Sequence, residues 1–223
     1  MRIIKFLLSG VAIVVCMAFA YQQKKKVIFF GDSITQAGIK PGGYITRIGE
    51  LAGKEQKDRY ELVGAGIGGN KVYDLYLRLE DDVLSKSPEV VIIYVGVNDV
   101  WHKQTSRTGT DADKFEKFYS AIINKLKEKN CKIVLCTPAV IGEKLNGGNE
   151  LDGELDKYSD IIRSLATRNS LPLVDLRKSF LEYNQKYNSA GAESGILTTD
   201  RVHLNDKGNQ LVADEMWKVI KAL

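Results

Sequence analysis

Short apolar runs alternate with longer amphipathic stretches from residue 26 to the end of the chain. The apolar runs are 27–30, 61–63, 90–95, 132–136 and 173–174, rich in Val, Ile and Leu and bounded by Gly, Pro or polar residues. Compact runs without polar alternation suit parallel strands buried on both faces. Helix-length stretches fall between them at 44–52, 72–85, 114–129, 155–169 and 206–222. In 114–129, Phe115, Phe118, Tyr119, Ile122 and Leu126 share one face at helical spacing, opposite lysines and glutamates, which predicts core packing.

Five strands separated by helices predict an α/β fold, a doubly wound parallel sheet covered on both faces. Ligands in such sheets sit beyond the carboxyl ends of the strands. Functional residues are therefore expected directly after each apolar run. Two polar, Gly-bearing stretches, 101–113 and 142–153, follow the third and fourth runs and are expected to be rim loops, either of them able to act as a lid. No repeat or Pro-rich linker divides the chain, so a single domain is expected.

Composition narrows the function classes. Hydrophobic residues make up 44% and charged residues 27% of 223, an ordinary globular balance that argues against disorder. The net charge of +4, from 32 bases against 28 acids, is too weak for a nucleic-acid binder. The cluster Lys24-Lys25-Lys26 reads as a solvated start to a mature chain.

The N-terminus has the pattern of an export signal. Arg2 and Lys5 precede an apolar stretch at 6–19, and Ala18-Phe19-Ala20 places small residues where a signal peptidase would cut. The apolar stretch is shorter than the roughly 18 to 20 residues of a spanning helix. Residues 1–20 are thus expected to be a signal peptide and 21–223 the functional domain, secreted or periplasmic, without stable membrane association after cleavage. An uncleaved anchor is the alternative; lipidation at Cys16 is disfavoured by the bulky Val14-Val15 before it. Cys131 and Cys136 lie in one expected strand, where five residues span about 16 Å, too far for a disulfide.

Four segments carry candidate chemistry. The first apolar run ends in Gly31-Asp32-Ser33-Ile34-Thr35. A serine there can be a nucleophile at the rim, or Asp32 or Ser33 can simply cap the following helix. Gly64-Ala65-Gly66-Ile67-Gly68-Gly69-Asn70 follows the second run, and its glycines let backbone N–H groups approach a ligand. It matches G-x-G-x-x-G, but after the second strand rather than the first, so cofactor binding is not favoured. Gly96-Val97-Asn98-Asp99 closes the third run, where Asn98 can aim its amide into a site or close an Asx turn. Asp200-Arg201-Val202-His203 lies near the C-terminus. Acyl transfer through serine needs a base, and the chain has 2 histidines, His102 and His203. Each has an aspartate three residues before it, so both remain candidates.

Together, Gly31-Asp32-Ser33, Gly69, Gly96-Val97-Asn98-Asp99 and Asp200-Arg201-Val202-His203 resemble the four blocks of the SGNH/GDSL hydrolase superfamily, in its order, across nearly the whole mature chain. The resemblance implies a three-layer, flavodoxin-like α/β/α sandwich and two-step ester hydrolysis without metal or organic cofactor. It implies Ser33 as nucleophile, His203 as base and Asp200 as its orienting partner. The oxyanion hole would be the N–H groups of Ser33 and Gly69 with the Asn98 amide. Asp32, Asp99 and Trp101 are expected to meet substrate. The second block of the family often begins with Asn where this chain has Gly64, which leaves Gly68 as a rival to Gly69.

The family spans carbohydrate acetylesterases, lysophospholipases, thioesterases and arylesterases. The polar rim stretches and Trp101 favour short-acyl esters of a sugar or polysaccharide, with long-chain lipid esters as the alternative. A non-catalytic carbohydrate-binding relative is the remaining class, and the intact set Ser33, Asn98, Asp200 and His203 argues against it.

Overall fold

The computed structural model describes residues 24–57 and 59–223; the expected signal segment at 1–20 lies outside them. Five strands, β1 (Lys25–Gly31), β2 (Tyr60–Gly66), β3 (Val90–Tyr94), β4 (Lys132–Cys136) and β5 (Leu173–Val174), form one parallel sheet in the order β2-β1-β3-β4-β5. Among the described residues the α-helices are α1 (Ser33–Gly38), α2 (Tyr44–Glu55), α3 (Val72–Asp82), α4 (Val97–Thr105), α5 (Ala112–Glu128), α6 (Asp152–Asn169), α7 (Leu176–Tyr187) and α8 (Asp206–Ile220). The expected α/β/α sandwich is what forms.

Residues 27–30 of β1 and all of β3 are buried, as continuous apolar runs between two helical layers must be. Helix α2 packs against α8, while α3 packs against α5 and α5 against α6, giving the layers on the two sides. The expected stripe of α5 is core: Phe115, Tyr119, Ile122 and Leu126 are buried, and Phe118 packs between Tyr73 and Tyr76.

Strand order decides where a site can form. The chain steps outward from β1 to β2, then crosses back to β3 on the other side of β1. A crevice opens at that reversal, beyond the strand ends. Gly31 pairs level with Gly66 and Tyr94, so the segments after β1, β2 and β3 emerge side by side. Three of the four candidate segments start there.

The structure departs from expectation in three places. The stretch 72–85 is not one helix: α3 stops at Asp82, and a 3-10 turn, Leu84–Lys86, ends at Ser87 with φ 48°. Stretch 101–113 begins as helix α4, not loop. Its Asn, Asp, Val, Trp and His have modest helix propensity, and burial of Val97, Asn98, Asp99 and Val100 supplies what propensity lacks. Helix α7 was not expected at all, although Asp175 caps it by accepting from Lys178 N–H (3.2 Å) and Leu176 and Phe180 recur at i, i+4. Stretch 142–153 is the expected loop as far as α6, and it forms a braced wall. Asn149 donates to the buried Asp152 carboxylate (2.9 Å), which also takes the buried Arg177 guanidinium (2.8 Å).

Candidate active site

Ser33 is the first residue of α1, which begins where β1 runs out. Asp32 caps that helix, its Oδ1 accepting from Ile34 N–H (3.0 Å). The capping reading of Asp32 and the rim position of Ser33 therefore hold together. Asp32 is only 2% exposed, and burial raises its pKa to about 6 despite the Ile34 hydrogen bond and the nearby His203 and Arg78 charges. Its carboxylate lies beneath the rim as the cap of α1.

Across the crevice stands the turn 200–203. His203 Nε2 lies 3.0 Å from Ser33 Oγ, and His203 Nδ1 lies 2.7 Å from Asp200 Oδ2. With Nδ1–H donated to the carboxylate, the Nε2 lone pair faces the serine hydroxyl, the tautomer a general base needs. The other oxygen of Asp200 accepts the backbone N–H of His203 (2.8 Å) and Val202 (3.2 Å). Burial is the largest influence on Asp200 and pushes its carboxyl up. The His203 and Val202 hydrogen bonds together nevertheless hold it below the usual aspartate value. Arg201 sits at φ 82°, a left-handed conformation that folds the four residues tightly enough for Asp200 to reach the ring.

The glycine segment runs beside Ser33. Gly69 adopts φ 75°, open to glycine at no steric cost. Gly68 N–H is already donated to Gln36 Oε1 (3.1 Å), whereas no acceptor takes the N–H of Gly69 or Ser33 among the described residues. Gly69 is thus the available donor of the two. Gly64, which replaces the usual Asn, is the floor beneath Ile39: a Cβ there would lie 2.3 Å from the Ile39 side chain. Asn98, 3% exposed at the start of α4, donates one amide hydrogen to the Asn70 carbonyl (3.1 Å), leaving the other for the crevice.

Charged groups hold this arrangement, two of them, Arg78 and Lys71, missed in the sequence. Arg78 donates to Gly31 O (2.7 Å), Ala65 O (3.0 Å) and Asn70 Oδ1 (2.7 Å), tying the ends of β1 and β2 to the glycine segment. Lys71 Nζ donates to Gly69 O (2.8 Å). Asp99 is fully buried and accepts Val72 N–H through both oxygens (3.1 and 3.3 Å). It therefore positions the backbone at the start of α3. Burial raises its pKa to about 7, the Val72 bond opposing.

His102 lies elsewhere than the turn 200–203. Its Cε1 is 3.7 Å from the point a Cβ on Gly69 would occupy, and Asp99 turns away from it toward Val72. Burial, then the Lys71 charge, lowers its pKa, while Asp74 opposes. Trp101 packs beside it, ring centroids 5.8 Å apart, half-buried against the core. Among the described residues no cluster of His, Cys, Asp or Glu could hold a metal ion.

A serine hydroxyl against an imidazole that a carboxylate orients is the equipment of acyl transfer. The sequence profile of the GDSL-like lipase/acylhydrolase family matches residues 29–211. The chain belongs to that family. It is a serine-type carboxylic ester hydrolase acting on an ester substrate. A solved acetyl xylan esterase, AlAXEase, is 64% identical, superposes with a TM-score of 0.86, and is matched over 87% of this chain and 99% of its own. An acetylxylan esterase of Geobacillus stearothermophilus is 29% identical over 85% of this chain and 90% of its own. The solved acetylxylan esterase Axe2 of the same species superposes with a TM-score of 0.77 at 27% identity, over 88% of this chain and 94% of its own. Its structures include catalytic mutants at a serine, an aspartate and a histidine.

Proposed function

We propose that this protein removes acetyl groups from an acetylated polysaccharide such as xylan, with Ser33 as nucleophile. The hydrogen-bonded line from Ser33 Oγ through His203 to Asp200 carries this reading. His203 Nε2 takes the serine proton as Oγ attacks the acetyl carbonyl. The oxyanion that forms is stabilised by the N–H groups of Ser33 and Gly69 and the free amide hydrogen of Asn98. His203 then protonates the sugar oxygen, the C–O bond to it breaks, and acetyl remains on Ser33. Water, deprotonated by His203, releases acetate and restores the serine.

The acetyl xylan esterases it is similar to support the polysaccharide substrate. Trp101 is the aromatic nearest in sequence to Asn98 and could stack a sugar ring. The exposed Ile39 and Ile67, by contrast, favour a second reading, a longer acyl chain lying along the rim. Residues 1–20 are proposed as a cleaved export signal and 21–223 as the hydrolase domain, on the charge and apolar pattern of the N-terminus. No helix among the described residues is long and apolar enough to cross a membrane.

Acetate release from acetylated xylan, measured beside fluorophosphonate labelling, tests the proposal. An adduct on Ser33 with brisk acetate release is the expected result. Absence of the adduct from folded protein refutes the nucleophile; labelling without acetate release refutes the substrate.

A further inference from the structure

Glu143 is a fully buried carboxylate on the wall segment after β4. No cation pairs with it among the described residues. Instead it accepts three consecutive backbone N–H groups: Ile196 on Oε2 (2.9 Å), Leu197 on Oε1 (2.6 Å) and Thr198 on Oε1 (2.9 Å). Bonds to an ionised acceptor are roughly twice as strong as neutral ones, and three of them offset the cost of burying the charge.

These three residues lead straight into the turn that carries Asp200 and His203. Thr198 forms an antiparallel bridge with Leu204, and Thr199 N–H donates to His203 O (2.8 Å), so the turn is a loop closed at its base. Glu143 holds the base of that loop. Its chain neighbour holds the tip: Gly142 N–H donates to the carbonyl of Arg201 (2.8 Å), the residue in the left-handed conformation. The backbone of Glu143 is itself pinned, its N–H donating to Glu193 O (3.0 Å) and its carbonyl accepting from the buried Asn188 amide (2.7 Å). Two adjacent residues thus grip the turn at both ends, and the wall they belong to is anchored through Asn149, Asp152 and Arg177.

We propose that Glu143 is a positioning residue for the Asp200–His203 pair, setting where the imidazole stands relative to Ser33. The proposal rests on the triad reading above. Lost grip lets the turn drift, and a misplacement near 1 Å costs about 10²-fold in rate. Ground-state binding of substrate, made elsewhere, stays as it is.

The test is Glu143→Gln in the full chain, with Glu143→Asp beside it. The glutamine amide presents one acceptor oxygen and places an NH2 against backbone donors. The aspartate keeps the charge but is one methylene short of all three N–H groups. Kinetics on p-nitrophenyl acetate are normalised to sites titrated with fluorophosphonate. The expected result for Glu143→Gln is kcat lower by about 10²-fold with KM nearly unchanged. Glu143→Asp should lose less. The downfield proton resonance of the His203 Nδ1–H···Asp200 bond, identified by its absence in His203→Ala, should move or vanish in Glu143→Gln. A lower melting temperature with kcat per titrated site and the proton resonance unchanged would overturn the proposal and leave Glu143 a purely structural brace. If the glutamine variant does not fold, Glu143→Asp decides by the same two readouts. Failure of the wild-type protein to label at Ser33 would instead strike the triad reading.

Discussion

Ser33 and His203 stand 170 residues apart in the chain, yet their Oγ and Nε2 atoms are 3.0 Å apart in the fold. Ser33 is delivered by the end of β1, His203 by a turn hung between Glu143 and the start of α8. The contact depends on two elements meeting at the sheet's reversal point, and its consequences can be measured.

Ser33→Ala and His203→Ala should each lower kcat by on the order of 10⁶, because nucleophile and base act as a unit. Asp200→Asn should cost less, since the backbone bonds of the turn still restrain the ring. His102→Ala should keep most turnover, as its ring faces Gly69 and not Ser33. Kinetics of the four variants on one ester decide. Healthy activity in His203→Ala beside loss in His102→Ala reverses the assignment of the base.

Asn98→Ala should reduce kcat by about 10²–10³, the usual loss for one oxyanion donor, with a smaller change in KM. Should Asn98 serve only to hold the Asn70 carbonyl, the variant will melt earlier while kcat per titrated site stays level.

Asp99 titrates at about 7 in the fold against an ordinary aspartate value of 3.8, burial being the main cause. Between those values the native state binds more protons than the unfolded chain. Stability from this group is therefore full below about pH 4 and is lost as pH rises through 7. Asp99→Asn does not titrate and can still accept Val72 N–H. Its melting temperature relative to wild type should climb from pH 4 to pH 8. A difference that is constant across this range would contradict the raised value.

Arg177 is buried and pairs with Asp152 (2.8 Å) and Asp156 (2.7 Å). Arg177→Ala strands the buried Asp152 carboxylate, and chemical denaturation should show a loss of about 3–5 kcal/mol. A loss under about 1 kcal/mol would mean that the pair is replaceable by water, as exposed pairs are.

Acyl preference should fall after acetate or butyrate on a p-nitrophenyl ester series. Each further buried CH2 would contribute roughly 0.8 kcal/mol only if a groove received it. An optimum at octanoate or beyond would sink the acetylesterase reading and favour the chain along Ile39 and Ile67.

Much of this was open to sequence reading because it is local. Apolar runs and helical periods follow from burial within a few residues, so β1, β3, β4 and α5 could be placed from the hydrophobic pattern alone. The capping role of Asp32 and the tight Asp-x-x-His turn are likewise set by neighbours within three or four positions. Helix α4 was hidden because local propensity opposed it and tertiary burial of Val97 and Val100 prevailed.

By itself the sequence determined the layers, the order of the candidate segments and the residue types able to run acyl transfer. Only the tertiary structure decided which of them meet. It set His203 beside Ser33 and His102 beside Gly69, engaged the N–H of Gly68 with Gln36, and buried Asp32 and Asp99. It also disclosed Arg78, Glu143 and Arg177, which look like surface charges in the sequence. The physical reason is reach. A period reports which face of an element is buried, whereas a buried charge is satisfied by partners 21, 47 or 55 residues away, and nothing local announces them.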